Sequence, residues 1–171
     1  MTRLATKISP LTFSAVFAAL GSCVQVIEDY LPLPFPLPGG KLGLSNVVTM
    51  VILKAYGLKY ALAVSVVKSL VAVLISGRIT GLIYSLAGGI SAVIAMHFAG
   101  KFIKGAGSVG CGIIGAWTNN IMQTAVGAVI MSNLHIMSYI WVLGPVSVVT
   151  GGFTGFVAEF IGRKLKKWKK D

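Results

Sequence analysis

Lys68 sits near the middle of an apolar stretch, "VSVVKSLVAV". A cation at that depth of a membrane helix costs about 2.5–3.5 kcal/mol on insertion scales. It needs a partner or a task. One reading is a snorkelling side chain or a structural pair with Glu28. The other is a contact to an anion or carbonyl in a polar cavity. A second set of polar residues lies in "GAWTNNIMQTAVG". Gly115, Asn119, Gln123 and Gly127 recur every four residues and share one helical stripe, and Asn120, three before Gln123, borders it. Amides in lipid must find partners. They serve either as interhelical glue, at about 0.6–2 kcal/mol each, or as the lining of a ligand pocket. A third set opens the short segment "GLSNVVTM". Ser45 or Asn46 there is placed to cap a helix N-terminus, where free N–H groups and the helix dipole favour an anion. Plain capping is the simpler reading.

The elements that must position these groups follow from composition. The chain has 171 residues, 56% hydrophobic and 11% charged, where a soluble domain has about 25% charged. Mean hydropathy is +0.87. Too little polar surface exists to cover a sphere in water, so the expected solvent is a bilayer. A hydrocarbon core of about 30 Å takes roughly 20 apolar residues as helix. The apolar runs predict an all-α integral membrane protein of six helices, at about 8–27, 44–56, 60–76, 79–99, 108–131 and 138–161. The second is short for a full span. A single transmembrane domain over 1–171 with a basic tail at 163–171 is expected. The abundant glycines, 21 in all, suit closely packed membrane helices.

Net charge is +11. Its distribution argues for a membrane surface and against nucleic acid. Six of the fifteen Lys/Arg fall in "RKLKKWKKD", and the rest are scattered between apolar runs. With the N-terminus inside, twelve basic residues lie on cytoplasmic segments, and only Lys41 and Arg78 outside. That bias predicts an N-in, C-in topology. It also reads the tail as an anchor on anionic headgroups, with Trp168 at the interface.

Other residues offer packing more readily than chemistry. Helix 1 carries Ser14, Ala18 and Ser22 on one line, and Ala15, Ala19 and Cys23 on the next. Gly151 and Gly155 do the same on helix 6. Small residues at that spacing let backbones approach. Glu159 and Arg163 are expected to pair at i,i+4. Cys23, Cys111, His97 and His135 have no neighbours at metal-ligand spacing, so no metal or other cofactor is expected. No catalytic set and no Walker A sequence is present, and the chain is not expected to be an enzyme.

Between helices 1 and 2 runs "LPLPFPLPGGKLGLSN", with four of the six prolines, directly after "EDY". This strip, with "SLAGG" at 85–89 and "NNIMQ" at 119–123, resembles the Gx transporter family. That family is grouped with the substrate-binding S components of energy-coupling factor (ECF) transporters, and has also been labelled heptaprenyl diphosphate synthase component I. The resemblance runs from helix 1 through helix 6. It implies a six-helix S-component-like bundle in the bacterial cytoplasmic membrane. Such a bundle captures a micronutrient from outside and works with a T subunit and two ATPases. Ala15 and Ala19 match the AxxxA pattern by which S components meet the T subunit. Asn120 and Gln123 match the family's "HNxxQ"-like run, with Asn119 in place of the histidine. Lys68 stands where a basic residue, more often Arg, is expected.

The combined expectation is a pocket for a small molecule lined by Glu28, Lys41, Asn46, Lys68, Asn120 and Gln123. The lysines would neutralise an acidic ligand, the amides would hydrogen-bond it, and the proline strip would form a rim or lid. Vitamins, flavins and quinone or isoprenoid precursors are the candidate classes. The alternative is a non-catalytic membrane accessory subunit for isoprenoid or quinone synthesis. With four acidic residues in all and no DDxxD, the chain lacks the aspartates that prenyl synthases use to hold magnesium and diphosphate.

Overall fold

A computed structural model describes residues 9–30, 43–103 and 105–168, with side chains through 164. The proline strip, Lys41, Lys104, Arg3, Lys7 and the tail side chains lie outside the described residues. Six α-helices and one 3-10 segment follow in order, and no strand occurs among the described residues. They are α1 (Pro10–Tyr30), α2 (Asn46–Tyr56), α3 (Leu58–Ser76), α4 (Ile79–Phe102), α5 (Gly107–Ile130) and α6 (Ile140–Trp168). The 3-10 turn Leu134–Tyr139 leads into α6.

Local chemistry sets the ends. Pro10 opens α1, where its missing N–H costs nothing, and Ser9 Oγ accepts the Thr12 N–H at 3.1 Å as a cap. Gly57, at φ +87°, lets the chain reverse between α2 and α3. Gly77 closes α3 in the left-handed conformation, its N–H bonded to Val73 O, a common C-terminal stop. Helix α6 runs on to Trp168, beyond the apolar segment, so the start of the basic tail is helical.

Four segments are long and apolar enough to cross a membrane: Pro10–Tyr30, Leu58–Ser76, Ile79–Phe102 and Leu134–Lys164. Helix α5 has the length, at 24 residues, but its amides lower its hydropathy. Helix α2, at 11 residues, rises only about 16 Å at 1.5 Å per residue.

That short helix is the hub of the bundle. It packs against α1, α3, α4, α5 and α6, whereas α1 packs mainly on α2 and α3 and touches α4 through Gln25. Val48, Met50, Val51 and Ile52 of α2 are buried in the main apolar cluster with Val64, Val93 and Met96. Outward faces are lipid-like, with Leu74, Trp141, Val149 and Phe156 exposed.

The small-residue lines separate cleanly. Ser14, Ala18 and Ser22 are buried, while Ala15, Ala19 and Cys23 are exposed on the outer face of α1. Gly151 and Gly155 meet the α5 backbone, where a side chain would run into Ile113, Ser108 and Val109. Gly112 returns the contact from α5. The two helices therefore touch backbone to backbone.

Candidate functional site

The polar interior gathers where α1, α3, α4 and α5 surround the start of α2. Lys68 is 2% exposed, which makes its ammonium costly unless paired. Its Nζ donates to Ser45 Oγ at 2.9 Å and to Asn46 Oδ1 at 3.3 Å. A hydrogen bond to a charged group contributes about 1.5–3 kcal/mol, so two such bonds offset much of the burial. Ser22 Oγ bonds the backbone carbonyls of Ala18 and Lys68, tying α1 to α3 at this level. Gly21 gives the Lys68 stem its passage: a methyl there would sit 3.3 Å from Lys68 Cδ.

Glu28 reaches the same turn from α1. Its Oε1 accepts the Leu44 N–H at 2.6 Å and its Oε2 the Ser45 N–H at 3.1 Å. These two N–H groups lie in the turn just before α2, and a carboxylate at that end of a helix is favoured by its dipole. The expectation that Ser45 or Asn46 caps α2 through its own side chain is therefore corrected. Ser45 makes no such bond; Glu28 satisfies these amides from another helix. That leaves the Ser45 hydroxyl to receive Lys68.

Gln25, Gly43, Ser45, Asn46, Lys68, Ser85, Gly89, Asn119 and Gln123 enclose a polar cavity of about 10 Å³, room for about one water. Gln25 Nε2 donates to Ser85 Oγ at 3.1 Å across its wall. Gly88 makes space on α4 for the α5 amides: a methyl would fall 2.6 Å from Asn119 Oδ1 and 2.9 Å from Gln123 Cγ. Gly89 does the same for Ser65 Oγ. The glycines of "SLAGG" thus admit polar side chains into a packed helix contact. The Asn46 Nδ2 is buried with no hydrogen-bond partner among the described residues, as are the hydroxyls of Ser65 and Ser69.

Of the expected pocket residues, Asn46, Lys68 and Gln123 line this cavity. Glu28 is buried beside it but bonds the turn rather than the cavity. Asn120 points away, donating to Ser147 Oγ on α6 at 2.8 Å. Lys41 lies outside the described residues. Sequence reasoning did not pick Gln25, Ser85 or Asn119 for the pocket. Asn119 lies in the four-residue stripe, whereas the family resemblance points to the neighbouring Asn120. Gln25 lies one turn before Glu28, a spacing that marks the same face.

Two other features are distinct from this cavity. At the opposite end of α2, Lys54 Nζ bonds Glu159 Oε2 at 2.7 Å. Ser108 joins both, and Arg163 Nε holds Glu159 Oε1 at 3.0 Å. The expected Glu159–Arg163 pair is thus present, within a cluster that ties α2 to α5 and α6. An apolar groove of about 690 Å³ lies between α5 and α6 by Trp117, Trp141 and Pro145. No group of three or more metal-ligating side chains occurs among the described residues.

No curated protein and no solved structure matches the chain. One family model does, over residues 17–161, from within α1 to near the end of the apolar part of α6. Its span includes every residue of the polar cavity and both ends of the α2 hub. The chain belongs to the heptaprenyl diphosphate synthase component I family.

Proposed function

We propose that this protein is the substrate-binding membrane component of an energy-coupling factor type transporter, taking up a small micronutrient. The observation that carries this reading is the buried polar cavity around Lys68 and Asn46, inside an otherwise apolar helical bundle. A buried lysine, two asparagines and two glutamines converge on that one point. An ionisable group inside a membrane bundle is by default a candidate for a ligand or ion pathway. In this reading all six helices lie in the membrane, N-terminus and C-terminus inside, and α5 crosses with its amides turned inward. Short helices at such sites are common in transporters. The chain binds and hands over its ligand and does no chemistry on it. Ala15 and Ala19, exposed on α1, form the face that meets a T subunit, and two ATPases supply the energy. The candidate ligands are a vitamin, a flavin or a quinone or isoprenoid precursor.

A second reading is favoured by the family description, which names a synthase component. There the protein is a non-catalytic membrane accessory subunit for isoprenoid or quinone synthesis. Affinity purification from the native membrane separates the two. Recovery with a T subunit and two ATPases supports the transporter. Recovery with a soluble prenyl synthase and no ATPase supports the accessory subunit.

A further inference from the structure

From the hydrogen-bond polarity around the cavity we infer a specific subsite, resting on the ligand-binding reading above: an amide clamp for one acceptor oxygen. Two asparagine amide nitrogens converge on one point beside Gly43. A carbon placed on Gly43 would lie 3.1 Å from Asn46 Nδ2 and 3.5 Å from Asn119 Nδ2. An atom near that point is within or a few tenths of an ångström from hydrogen-bond reach of both nitrogens.

The orientation of each amide is fixed by chemistry. An ammonium only donates. Since Lys68 Nζ lies on one side of the Asn46 amide at 3.3 Å, that side is the oxygen. The Nδ2 is then turned to the cavity, where it is buried and has no partner among the described residues. On α5, Ser147 Oγ gives its one proton to Leu143 O at 2.7 Å. It must then accept from Asn120, whose Nδ2 is 2.8 Å away. Asn120 Oδ1 therefore faces Asn119 and accepts from Asn119 Nδ2 at 3.4 Å. A carbonyl on α6 thus sets, through three side chains, which end of Asn119 meets Gly43.

The result is a pair of donors beside a lysine. It accepts a carboxylate or carbonyl oxygen and repels an ammonium or other donor group. Gly43 is part of the device, because any side chain there would occupy the oxygen's place.

The test uses the full chain in detergent and reads thermal unfolding with small probes at tens of millimolar, where weak ligands still stabilise. Formate supplies a carboxylate, acetamide a carbonyl and methylammonium a cation, each against chloride or water at matched ionic strength. Formate or acetamide is expected to raise the midpoint of the parent, and methylammonium is not. Asn119→Asp, which exchanges a donor for an acceptor, is expected to abolish the formate shift. Asn119→Leu, which removes the donor without adding charge, keeps the comparison if the aspartate variant does not fold. A formate shift of equal size in both variants overturns the clamp, as does a response to methylammonium alone. No response to any probe also overturns it. A small molecule retained by the parent in native mass spectrometry would still leave the broader binding reading standing.

Discussion

Glu28 on α1 and Lys68 on α3 hold the same turn from opposite sides. The carboxylate takes the Leu44 and Ser45 backbone N–H groups, and the ammonium takes the Ser45 hydroxyl and the Asn46 amide oxygen. Each charge is buried and each is spent on residues 44–46. The turn that leads into α2 is thus clamped between two helices by charged hydrogen bonds. That clamp decides where Asn46 points, and so what the cavity offers.

Removing the cation should cost binding and also loosen the turn it holds. Lys68→Met keeps much of the stem volume and deletes the charge. Losing a charged hydrogen bond of about 1.5–3 kcal/mol corresponds to roughly a ten- to hundredfold loss in affinity. Isothermal titration or a displacement assay with the retained ligand, once identified, reads this directly. Unchanged affinity would remove Lys68 from the site.

Glu28 should behave differently, as a group that positions rather than binds. Glu28→Gln keeps one acceptor and loses the charge. Destabilisation of about 1–3 kcal/mol is expected, with faster amide exchange at Leu44 and Ser45. Hydrogen exchange by mass spectrometry over this segment gives the answer. Unchanged protection there would mean that the carboxylate is not what holds the turn.

The α5–α6 seam should tolerate no side chain. Gly155→Leu would drive carbon into the Ser108 and Val109 backbone, and overpacking costs about 1–3 kcal/mol or more when backbone must move. Gly152, whose added carbon would meet nothing within 4 Å, is the control. Gly155→Leu should lower the unfolding midpoint in detergent, and Gly152→Leu should leave it nearly unchanged.

On the outer face of α1 the expectation reverses. Ala15→Leu and Ala19→Leu together touch no buried contact, since both positions are exposed. Folding and ligand retention should persist while co-purification of a T subunit is lost. Continued recovery of that complex would place the partner on another face.

Much of the architecture was legible because helices in lipid must satisfy their own backbone and so announce themselves as apolar runs. The two lines on α1 were also readable, although only packing shows that Ser14, Ala18 and Ser22 face inward. The pocket was readable in part. Lys68 stood out because its cost is high at that depth. Asn119 and Asn120 are adjacent in sequence, but adjacent residues on a helix point to different faces, and which one meets the cavity depends on where α6 packs. Glu28's role was not legible at all. It bonds the Leu44 and Ser45 backbone, 16 and 17 residues on in sequence, and no local pattern records a cap supplied from another helix. The Lys54–Ser108–Glu159 cluster was hidden for the same reason: its members come from α2, α5 and α6.

The central claim is that Lys68 and Asn46 contact a bound small molecule. Native mass spectrometry of the parent and of Lys68→Met, purified side by side from the same membranes, tests it most directly. The account predicts an added mass of one small molecule on the parent, strongly depleted on the variant although the variant folds. An added mass retained equally by both, or absent from the parent, would contradict it.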